Sequence, residues 1–576
     1  MKKYMPYVKR YWYSFILGPL FMILEACGEF ILPYINANII NKGAATGDIG
    51  YILINGGYMA LIAVAMLATG ILGAFFSIRA STRLAAGVRS DLFRQIQKFS
   101  FSNIDDFTTG SLITRITNDI TQVQNFTQTL LRGFFRSPVM LIGALIMSFA
   151  LSPNLARVMV AVIPFLAISI FLIIRISSPR YTKMQKAIDG LNNSVSETIT
   201  NERVIKSFVR EDFEIEKFSK TNNDLVEKST SALKVMLLLM PVSAFAINLT
   251  TLAVIWFSGK PIMVGNMEIG TLTAFITYLT QILMALNFLA MIILQGTRAA
   301  ASDKRISAVM DADIDITDEK ASFADREIQS GSIEFKNVSF RYFKNNKDKV
   351  LDDISFTVNS GETVGIVGST GSGKTTLISL IPRLYDADEG EILVDGINIK
   401  EYSLSHLRDG ISVVLQKNTL FSGTVSENLR WGNENATDEE IADAAKLAQA
   451  HSFVSAFPDG YEYMIERGGA NLSGGQRQRL CIARALIKKP KIIILDDSTS
   501  AVDTATDASI RKAFREELSG TTKIIIAQRI TSVCDADKII VLDKGKISGI
   551  GNHEDLLRDC PTYSEIYYSQ KDREEE

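Results

Sequence analysis

Six long apolar stretches in the first 300 residues constrain the fold more than any other feature of the sequence. Each of them approaches or exceeds the ~20 residues that cross a lipid bilayer as an α-helix. They cover about residues 12–40, 52–78, 134–151, 156–176, 233–258 and 270–295. The mean hydropathy of the whole chain is +0.15, and soluble proteins of this length rarely have a positive average. The sequence therefore predicts six membrane-spanning helices.

Charge and composition exclude several other classes of protein. The 61 Lys and Arg residues are balanced by 63 Asp and Glu residues, which argues against nucleic-acid binding as the main activity. The four cysteines form no CxxC pair, so neither a disulfide scaffold nor a cysteine-rich metal site is expected. With only three histidines, a multi-histidine metal centre is also improbable.

The charges of the loops predict the orientation in the membrane. Residues 41–50, 152–154 and 259–270 contain two lysines in all, whereas 79–98 and 175–234 are rich in Lys and Arg. Positively charged loops stay on the cytoplasmic side. We therefore expect both termini and both long polar segments to be cytoplasmic. The basic N-terminus precedes an apolar stretch too long for a signal peptide, which favours a first spanning helix.

The two long polar segments, 79–133 and 176–232, have helical periodicity and few helix breakers. They predict helices that continue well beyond the membrane, with short turns at 102–110 and 201–208 as their tips. Ordinary cytoplasmic loops are the alternative.

The second half of the chain has a different pattern. After about residue 331, short β-branched runs alternate with helical segments and Gly-rich turns, as in a soluble α/β domain. An acidic stretch at 311–327 reads as a linker. We therefore expect a transmembrane domain at 1–310, a linker at 311–330 and a soluble α/β domain at 331–576.

A phosphate-binding loop is the strongest local signal. Residues 368–375 read Gly-Ser-Thr-Gly-Ser-Gly-Lys-Thr, directly after a strand-like segment at 363–367 and before a helical one at 376–384. This is the G-x-x-x-x-G-K-[ST] pattern in the context that it requires. Backbone N–H groups of such a loop surround phosphates, the lysine meets the β- and γ-phosphates, and the threonine binds Mg²⁺.

Two further segments complete the pattern. Residues 491–496 form an apolar run that ends in Asp496, as expected of a buried strand that delivers a carboxylate to Mg²⁺. Residues 471–479 contain Leu-Ser-Gly-Gly-Gln, which can open a helix with free N–H groups and form a second anion site. One nucleotide cannot easily occupy both sites within one domain, so the second site is expected to reach a nucleotide on a neighbouring domain.

In this combination the whole chain resembles a half-transporter of the ATP-binding cassette (ABC) exporter superfamily. The resemblance implies an α-helical polytopic membrane domain of six long helices, followed by an α/β RecA-like ATP-binding domain with a helical subdomain. It implies ATP and Mg²⁺ as ligands, with Mg²⁺ held by Thr375, Gln416 and Asp496. The residues that it implies for nucleotide binding are Tyr342, Gly368, Ser369, Thr370, Gly371, Ser372, Gly373, Lys374, Thr375, Thr376, Gln416, Leu472, Ser473, Gly474, Gly475, Gln476 and Asp503.

Within that set, Tyr342 resembles the aromatic residue that stacks on adenine and Gln416 resembles the Q-loop glutamine. Residues 500–503 resemble the D-loop, 465–468 stand at the exporter x-loop, and 204–208 resemble the second intracellular loop.

Two positions depart from the family pattern, and both concern hydrolysis. Asp496 corresponds to the Walker-B aspartate of the family, and the residue after it is Asp497, where the family usually has Glu. The switch position, usually His, is Gln528. Asp is one methylene shorter than Glu, and Gln cannot take up a positive charge as His can. These two candidate catalytic residues predict a site that binds ATP but hydrolyses it weakly, although Asp497 could still act as a slow base.

The resemblance then implies one subunit of a bacterial multidrug-type efflux pump in the cell membrane. The expected partner is a second half-transporter that carries the Glu and His missing here and often an altered signature. This chain would supply its intact signature to the partner's hydrolytic site. Two alternatives stay open: an exporter-shaped importer of metal–siderophore complexes, and an ATP-gated channel or regulatory subunit. The sequence does not reveal the transported substrate.

Two acidic residues lie mid-way along the first apolar stretch. Glu25 and Glu29 are four residues apart and therefore share a helix face. Because an intramembrane carboxylate is costly and usually faces a polar cavity, we expect both to line the translocation cavity and to favour cationic or hydrogen-bonding substrates. A pair satisfied by neighbouring helices is the alternative.

Overall fold

The computed structural model describes residues 2–264, 267–319, 321–343, 348–497 and 503–575. They form two compact units. The first contains Met1–Gln97 and Thr109–Ala312, and the second contains Lys98–Thr108 and Asp313–Glu576.

The first unit is entirely helical. Its helices are α1 (Met5–Arg10), α2 (Trp12–Asn38), α3 (Ile49–Gln97), α5 (Thr109–Thr114), α6 (Ile120–Thr129), α7 (Arg136–Leu151), α8 (Pro153–Thr200), α9 (Glu202–Ser207), α10 (Glu211–Leu237), α11 (Leu239–Met263) and α12 (Ile269–Met310). Short π-helical turns lie at Ile39–Ala44, Arg115–Asp119 and Leu130–Phe134. Six helical segments among the described residues are long and apolar enough to cross a membrane. The prediction of six spanning helices is confirmed.

The polar segments continue these helices, as the sequence predicts. α3 has 49 residues and α8 has 48, and both extend far beyond the ~20 residues that a bilayer requires. The two tips, however, are short helices rather than turns. One is α4 (Phe101–Phe107), which Ser100 and Asn103 close with a reciprocal capping box, and the other is α9. Asn at the fourth position of a capping motif was too weak a signal for the sequence-based prediction.

α4 belongs to the second unit, although it lies between two membrane-unit helices in sequence. The Asn103 amide donates to the carbonyl of Asp313 at 3.0 Å. This segment is therefore packed on the nucleotide-binding unit while its neighbours in sequence belong to the membrane unit.

The second unit contains three sheets. Its strands are β1 (Ile333–Phe340), β2 (Leu351–Val358), β3 (Thr363–Gly368), β4 (Glu389–Val394), β5 (Ile397–Asn398), β6 (Ile411–Val414), β7 (Gly423–Thr424), β8 (Met464–Ile465), β9 (Ile492–Asp496), β10 (Thr522–Ile526), β11 (Lys538–Asp543) and β12 (Lys546–Gly551). A four-stranded antiparallel sheet has the order β2-β1-β4-β5, and a six-stranded sheet has the order β12-β11-β3-β10-β9-β6. In the latter, all neighbours are parallel except β11 and β12.

The helices of this unit complete its two main cores. They are α13 (Lys374–Leu380), α14 (Leu404–Asp409), α15 (Val425–Arg430), α16 (Asp438–Leu447), α17 (His451–Ser455), α18 (Gly474–Ile487), α19 (Thr504–Glu517), α20 (His553–Asp559) and α21 (Pro561–Glu575). One apolar core joins the antiparallel sheet to the parallel one and includes Phe335, Ile366 and Leu377. A second core packs α15, α16 and α18 against the outer strands and includes Leu429, Ile441 and Leu480. The architecture is the predicted α/β domain with a helical subdomain.

Candidate ATP-binding site

The order of the parallel strands collects the predicted catalytic residues at one edge of the sheet. β3, β10, β9 and β6 are neighbours, and their registers pair Ile526 with both Ile366 and Asp496. Since ligands of parallel α/β sheets bind beyond the carboxyl ends of the strands, the residues that follow these strands share one site. They are the loop 368–375, Gln528, Asp497 and Gln416.

The phosphate-binding loop needs glycine where it leaves β3. Gly368 has a φ of 151°, and a Cβ atom there would lie 2.1 Å from the carbonyl oxygen of Leu542. Gly373, with a φ of 97°, ends the loop immediately before α13. Only glycine combines these φ values with such close packing. The loop is therefore held in a shape that side chains would prevent.

Lys374 lies folded over this loop. Its Nζ donates to the carbonyl oxygens of Gly368 and Ser369, both at 2.8 Å. Burial lowers the pKa of the Lys374 ammonium, while the nearby carboxylates Asp496 and Asp497 raise it. A half-buried cation held by carbonyl oxygens is suited to meet phosphate oxygens, which are stronger acceptors.

Asp496 ends β9 as a buried carboxylate. It is 2% exposed, and Thr375 is hydrogen-bonded to it. Its Oδ2 atom is buried without a hydrogen-bond partner among the described residues. Burial is the main reason why the pKa of Asp496 is raised.

An unsatisfied carboxylate oxygen beside a threonine hydroxyl fits Mg²⁺, which takes oxygen ligands. The described residues contain no group of three or more His, Cys, Asp or Glu side chains that could hold a metal by themselves. Mg²⁺ is usually bound by one or two protein groups together with substrate phosphates.

Asp497 and Gln528, the two residues that depart from the family pattern, are directly bonded to each other. The Gln528 Nε2 donates to Oδ2 of Asp497 at 2.8 Å. Asp497 has a φ of 49°, and its backbone N–H donates to the carbonyl of Ile526 at 3.0 Å. The backbone oxygen of Gln528 accepts from Gln570 at 2.7 Å. The pair is therefore held by β10 and by α21, and one of the two Asp497 carboxylate oxygens accepts from an amide.

Tyr342 lies just after β1 and is 38% exposed. Its hydroxyl is 2.9 Å from Oγ1 of Thr376 at the start of α13. Its ring meets Tyr385 edge-on at 5.3 Å between centroids. An aromatic face beside the phosphate loop is the arrangement that base stacking requires.

Tyr385 is a residue that sequence reasoning missed. Its ring lies 5.9 Å from that of Phe101 in α4, and its hydroxyl donates to Asp105 in the same helix at 2.8 Å. Tyr385 therefore contacts both the Tyr342 ring and α4. No local pattern reveals this contact, because Asp105 and Tyr385 are 280 residues apart in the sequence.

The signature residues open α18. Ser473 caps the helix, and Ser473 and Gln476 form a capping box in which each side chain accepts from the other's backbone N–H. Leu472 is buried. The box leaves the N–H groups of Gly474 and Gly475, which the first turn of a helix cannot bond internally, as donors for an anion.

The D-loop residues are only partly described. Asp503 caps α19 and accepts from the Thr506 N–H at 2.9 Å, and its side chain is exposed. The predicted D-loop residues 500–502 lie outside the described residues.

Comparison with known proteins agrees with this geometry. Residues 15–286 match the family model of the ABC transporter transmembrane region, and residues 351–500 match the ABC transporter family model. A Bacillus subtilis relative, the uncharacterized ABC transporter ATP-binding protein YfiB, is 38% identical over 100% of this chain and 99% of its own length. The chain belongs to the ABC transporter family.

Two other similarities extend the comparison. The putative multidrug export ATP-binding/permease protein YgaD of B. subtilis is 31% identical over 99% of both chains. The solved structure of a bacterial Atm1-family ABC exporter with ATP bound has a TM-score of 0.80 at 25% identity, over 98% of each chain. This ABC transporter therefore has the exporter fold, with a membrane region and an ATP-binding region in one chain.

The intramembrane carboxylates lie together on α2. Glu29 forms an ion pair with Arg136 of α7, and Glu25 Oε2 lies 3.9 Å from Nε of the same arginine. Glu25 also lines a cavity of about 570 Å³ in the membrane unit. The charged partner of the two carboxylates was not recognised from the sequence, because Arg136 is 107 residues from Glu29.

Proposed function

We propose that this chain is one subunit of a heterodimeric ABC efflux transporter, and that its own Walker site binds ATP but hydrolyses it slowly. The observation that carries the proposal is the hydrogen bond between Gln528 Nε2 and Asp497 Oδ2, 2.8 Å long. It joins the two positions at which the chain departs from the family pattern.

The reasoning concerns the general base. A base must lie within about 2.6–3.2 Å of the proton that it removes, directly or through one water molecule. The Asp497 carboxylate is one methylene shorter than the usual Glu, and one of its oxygens already accepts from Gln528. A carboxylate that is set back from the attacking water and already accepts a hydrogen bond is a poor base. Gln528 can donate a hydrogen bond to a phosphate but cannot become cationic.

The residues for binding ATP and Mg²⁺ are all present. Lys374 and the loop glycines fit phosphates, Tyr342 fits a purine ring, and Thr375, Asp496 and Gln416 fit Mg²⁺. The fit rests on the unpartnered buried Oδ2 of Asp496. Bound Mg²⁺ would neutralise phosphate charge. Nothing in this set is altered, so tight binding and slow hydrolysis are compatible.

The signature assigns this chain a role at its partner's site. In a head-to-tail pair of ATP-binding domains, residues 472–476 face a nucleotide on the other chain, and Asp503 follows as part of the same face. The capping box of Ser473 and Gln476 supports an intact, ordered signature. The partner should therefore carry the Glu and the His that are missing here.

α4 belongs to the ATP-binding unit, is continuous in sequence with helices of the membrane unit and packs on Tyr385. We expect this contact to transmit movements of the ATP-binding domain. The charge of the loops favours a cytoplasmic ATP-binding domain, and the relative YgaD favours multidrug export.

The proposal can be tested on the complex. A tagged chain would be purified from its native membranes, the co-purifying half-transporter identified by mass spectrometry, and the ATPase rate of the pair measured. Asp497→Asn in this chain should reduce the rate less than about twofold, whereas the Walker-B Glu→Gln change in the partner should abolish most of the turnover, as loss of a general base typically costs 10²–10⁴-fold.

Robust ATP-driven transport by this chain as a homodimer would contradict the proposal. That result would leave the membership of the family unchanged and would make Asp497 a working base.

A further inference from the structure

The cavity that contains Glu25 has the size and lining of a ligand site. Its volume of about 570 Å³ lies within the ~300–1,000 Å³ that is typical of small-molecule pockets. All its lining residues belong to the membrane unit, and they come from α2, α3, α12 and the segment 128–136.

Most of the wall is apolar and adaptable. Met22, Met66 and Met291 line it together with Ile71 and Phe288. Thioether side chains have three rotatable bonds and adjust to irregular apolar shapes. The wall therefore suits the hydrocarbon or ring body of an amphiphile rather than one rigid molecule.

The carboxylate of Glu25 lies near a positive charge, and its Oε2 has no hydrogen-bond partner among the described residues. Arg136 is shared between it and Glu29. Glu25 also packs closely on α3, since a Cβ atom on Gly70 would lie 3.1 Å from its Oε1. The positive charge of Arg136 beside Glu25 reduces the attraction of this carboxylate for a cationic ligand.

Arg132 supplies a second positive charge at this cavity. It lines the same cavity and is exposed, and it forms no ion pair with any carboxylate in the described ranges. A guanidinium group cannot lose its proton in a protein. The cavity is therefore lined by two guanidinium groups, Arg132 and Arg136, and by one carboxylate, Glu25. When Glu29, which pairs with Arg136, is counted as well, the numbers of positive and negative groups are equal.

We propose that this cavity binds an amphiphile with an anionic head, a carboxylate or a phosphate, with the head on Arg132 and the apolar body against the methionine wall. The proposal rests on the proposed export function, whose substrate class it names. It replaces the expectation of a preference for cations, which the acidic pair suggested while its partner Arg136 was unknown. Arginine is well suited to this role because its planar fork bonds carboxylate or phosphate oxygens in pairs.

The test is a binding experiment without ATP. A negative result would therefore count against this ligand class and would leave the proposed ATP-driven export untouched. The full chain in phosphatidylcholine nanodiscs is titrated with three fluorescent probes. Each has the same dansyl-undecyl body, and they end in carboxylate, phosphate or trimethylammonium. Empty nanodiscs correct for partitioning into lipid.

At least one of the two anionic probes should bind about tenfold or more tightly than the ammonium probe, and their order identifies carboxylate or phosphate as the natural head. Arg132→Gln should remove this preference, and Arg132→Lys should restore part of it, because the charge returns without the fork. Arg157→Gln is the matched control, since Arg157 is an exposed arginine on another spanning helix and does not line the cavity.

Glu25→Gln should leave binding of the anionic probes unchanged or improve it. Equal binding of all three probes, tighter binding of the ammonium probe, or an anion preference that survives Arg132→Gln would overturn the proposal.

Discussion

The replacement Asp496→Asn should stabilise this protein without nucleotide and prevent its stabilisation by Mg-ATP. The ionised carboxylate is 2% exposed and has one oxygen without a hydrogen-bond partner among the described residues. Leaving a buried polar group unsatisfied costs about 1–3 kcal/mol, and more when the group is charged. Asn has the same shape and no charge. We expect the free energy of unfolding of the ATP-binding unit to increase by about 1–2 kcal/mol.

The sign of the pH dependence follows from the raised pKa of Asp496. Since the folded-state pKa lies above the unfolded one, the penalty is absent below the unfolded pKa, grows between the two pKa values and is complete above the folded pKa. The advantage of Asp496→Asn should therefore grow as the pH rises and should vanish below the unfolded pKa of about 4.

Thermal unfolding of the full chain in nanodiscs, with EDTA and then with Mg-ATP, measures both effects. Without nucleotide, Tm should rise by about 2–4 °C for each kcal/mol in a domain of this size. With Mg-ATP at 100 times its Kd, wild type should gain about 2.7 kcal/mol, and the variant should gain little. Asp459→Asn, at an exposed position of the same unit, is the control and should change neither value. A variant less stable than wild type without nucleotide, or one fully stabilised by Mg-ATP, would refute the reasoning.

Two further predictions concern the loop and α4. Gly368→Ala should abolish Mg-ATP stabilisation and lower the free energy of unfolding by about 2 kcal/mol or more, because its Cβ would meet the Leu542 carbonyl at 2.1 Å. The control Gly371→Ala, with no atom within 4 Å of its Cβ, should lower it by about 1 kcal/mol. Equal losses in the two variants by differential scanning calorimetry would contradict the steric argument. Tyr385→Phe keeps the ring contact with Tyr342 and removes the 2.8 Å hydrogen bond to Asp105. In the assembled transporter, ATP affinity should therefore stay unchanged while the amount of substrate moved per ATP falls, and Asp105→Asn should have the same effect. A loss of ATP affinity in either variant would assign Tyr385 to ATP binding alone.

The sequence predicted the strands around the candidate ATP site because short motifs impose them locally. The strand before the loop was expected at 363–367 and is Thr363–Gly368, and the run 491–496 contains β9, Ile492–Asp496. The helix expected at 376–384 begins earlier and ends at Leu380. Pro382 explains the early end, because proline has no N–H to donate to the carbonyl of Ile378 and so cannot continue the helix.

Contacts between distant residues could not be predicted in the same way. The pairing of Asp497 with Gln528 depends on the register of β9 and β10. The sequence motifs identify the two residues, but they do not show that the two are hydrogen-bonded. Arg136 forms an ion pair with Glu29 and lies near Glu25. Tyr385 contacts both α4 and Tyr342. Periodicity shows which helix face a residue shares, but it does not show which other helix meets that face.

The most direct test of the central claim is the chemical state of the nucleotide at this chain's own Walker site. The purified complex is loaded with ATP that carries separate labels on the α- and γ-phosphates, freed of unbound nucleotide, and held through many turnovers of the partner's site. Photocrosslinking of an azido-ATP analogue assigns the nucleotide to each chain. Our account predicts that this chain retains intact ATP, with equal amounts of the two labels, while the partner retains ADP. Loss of the γ-label from this chain at the same rate as from its partner would contradict the account.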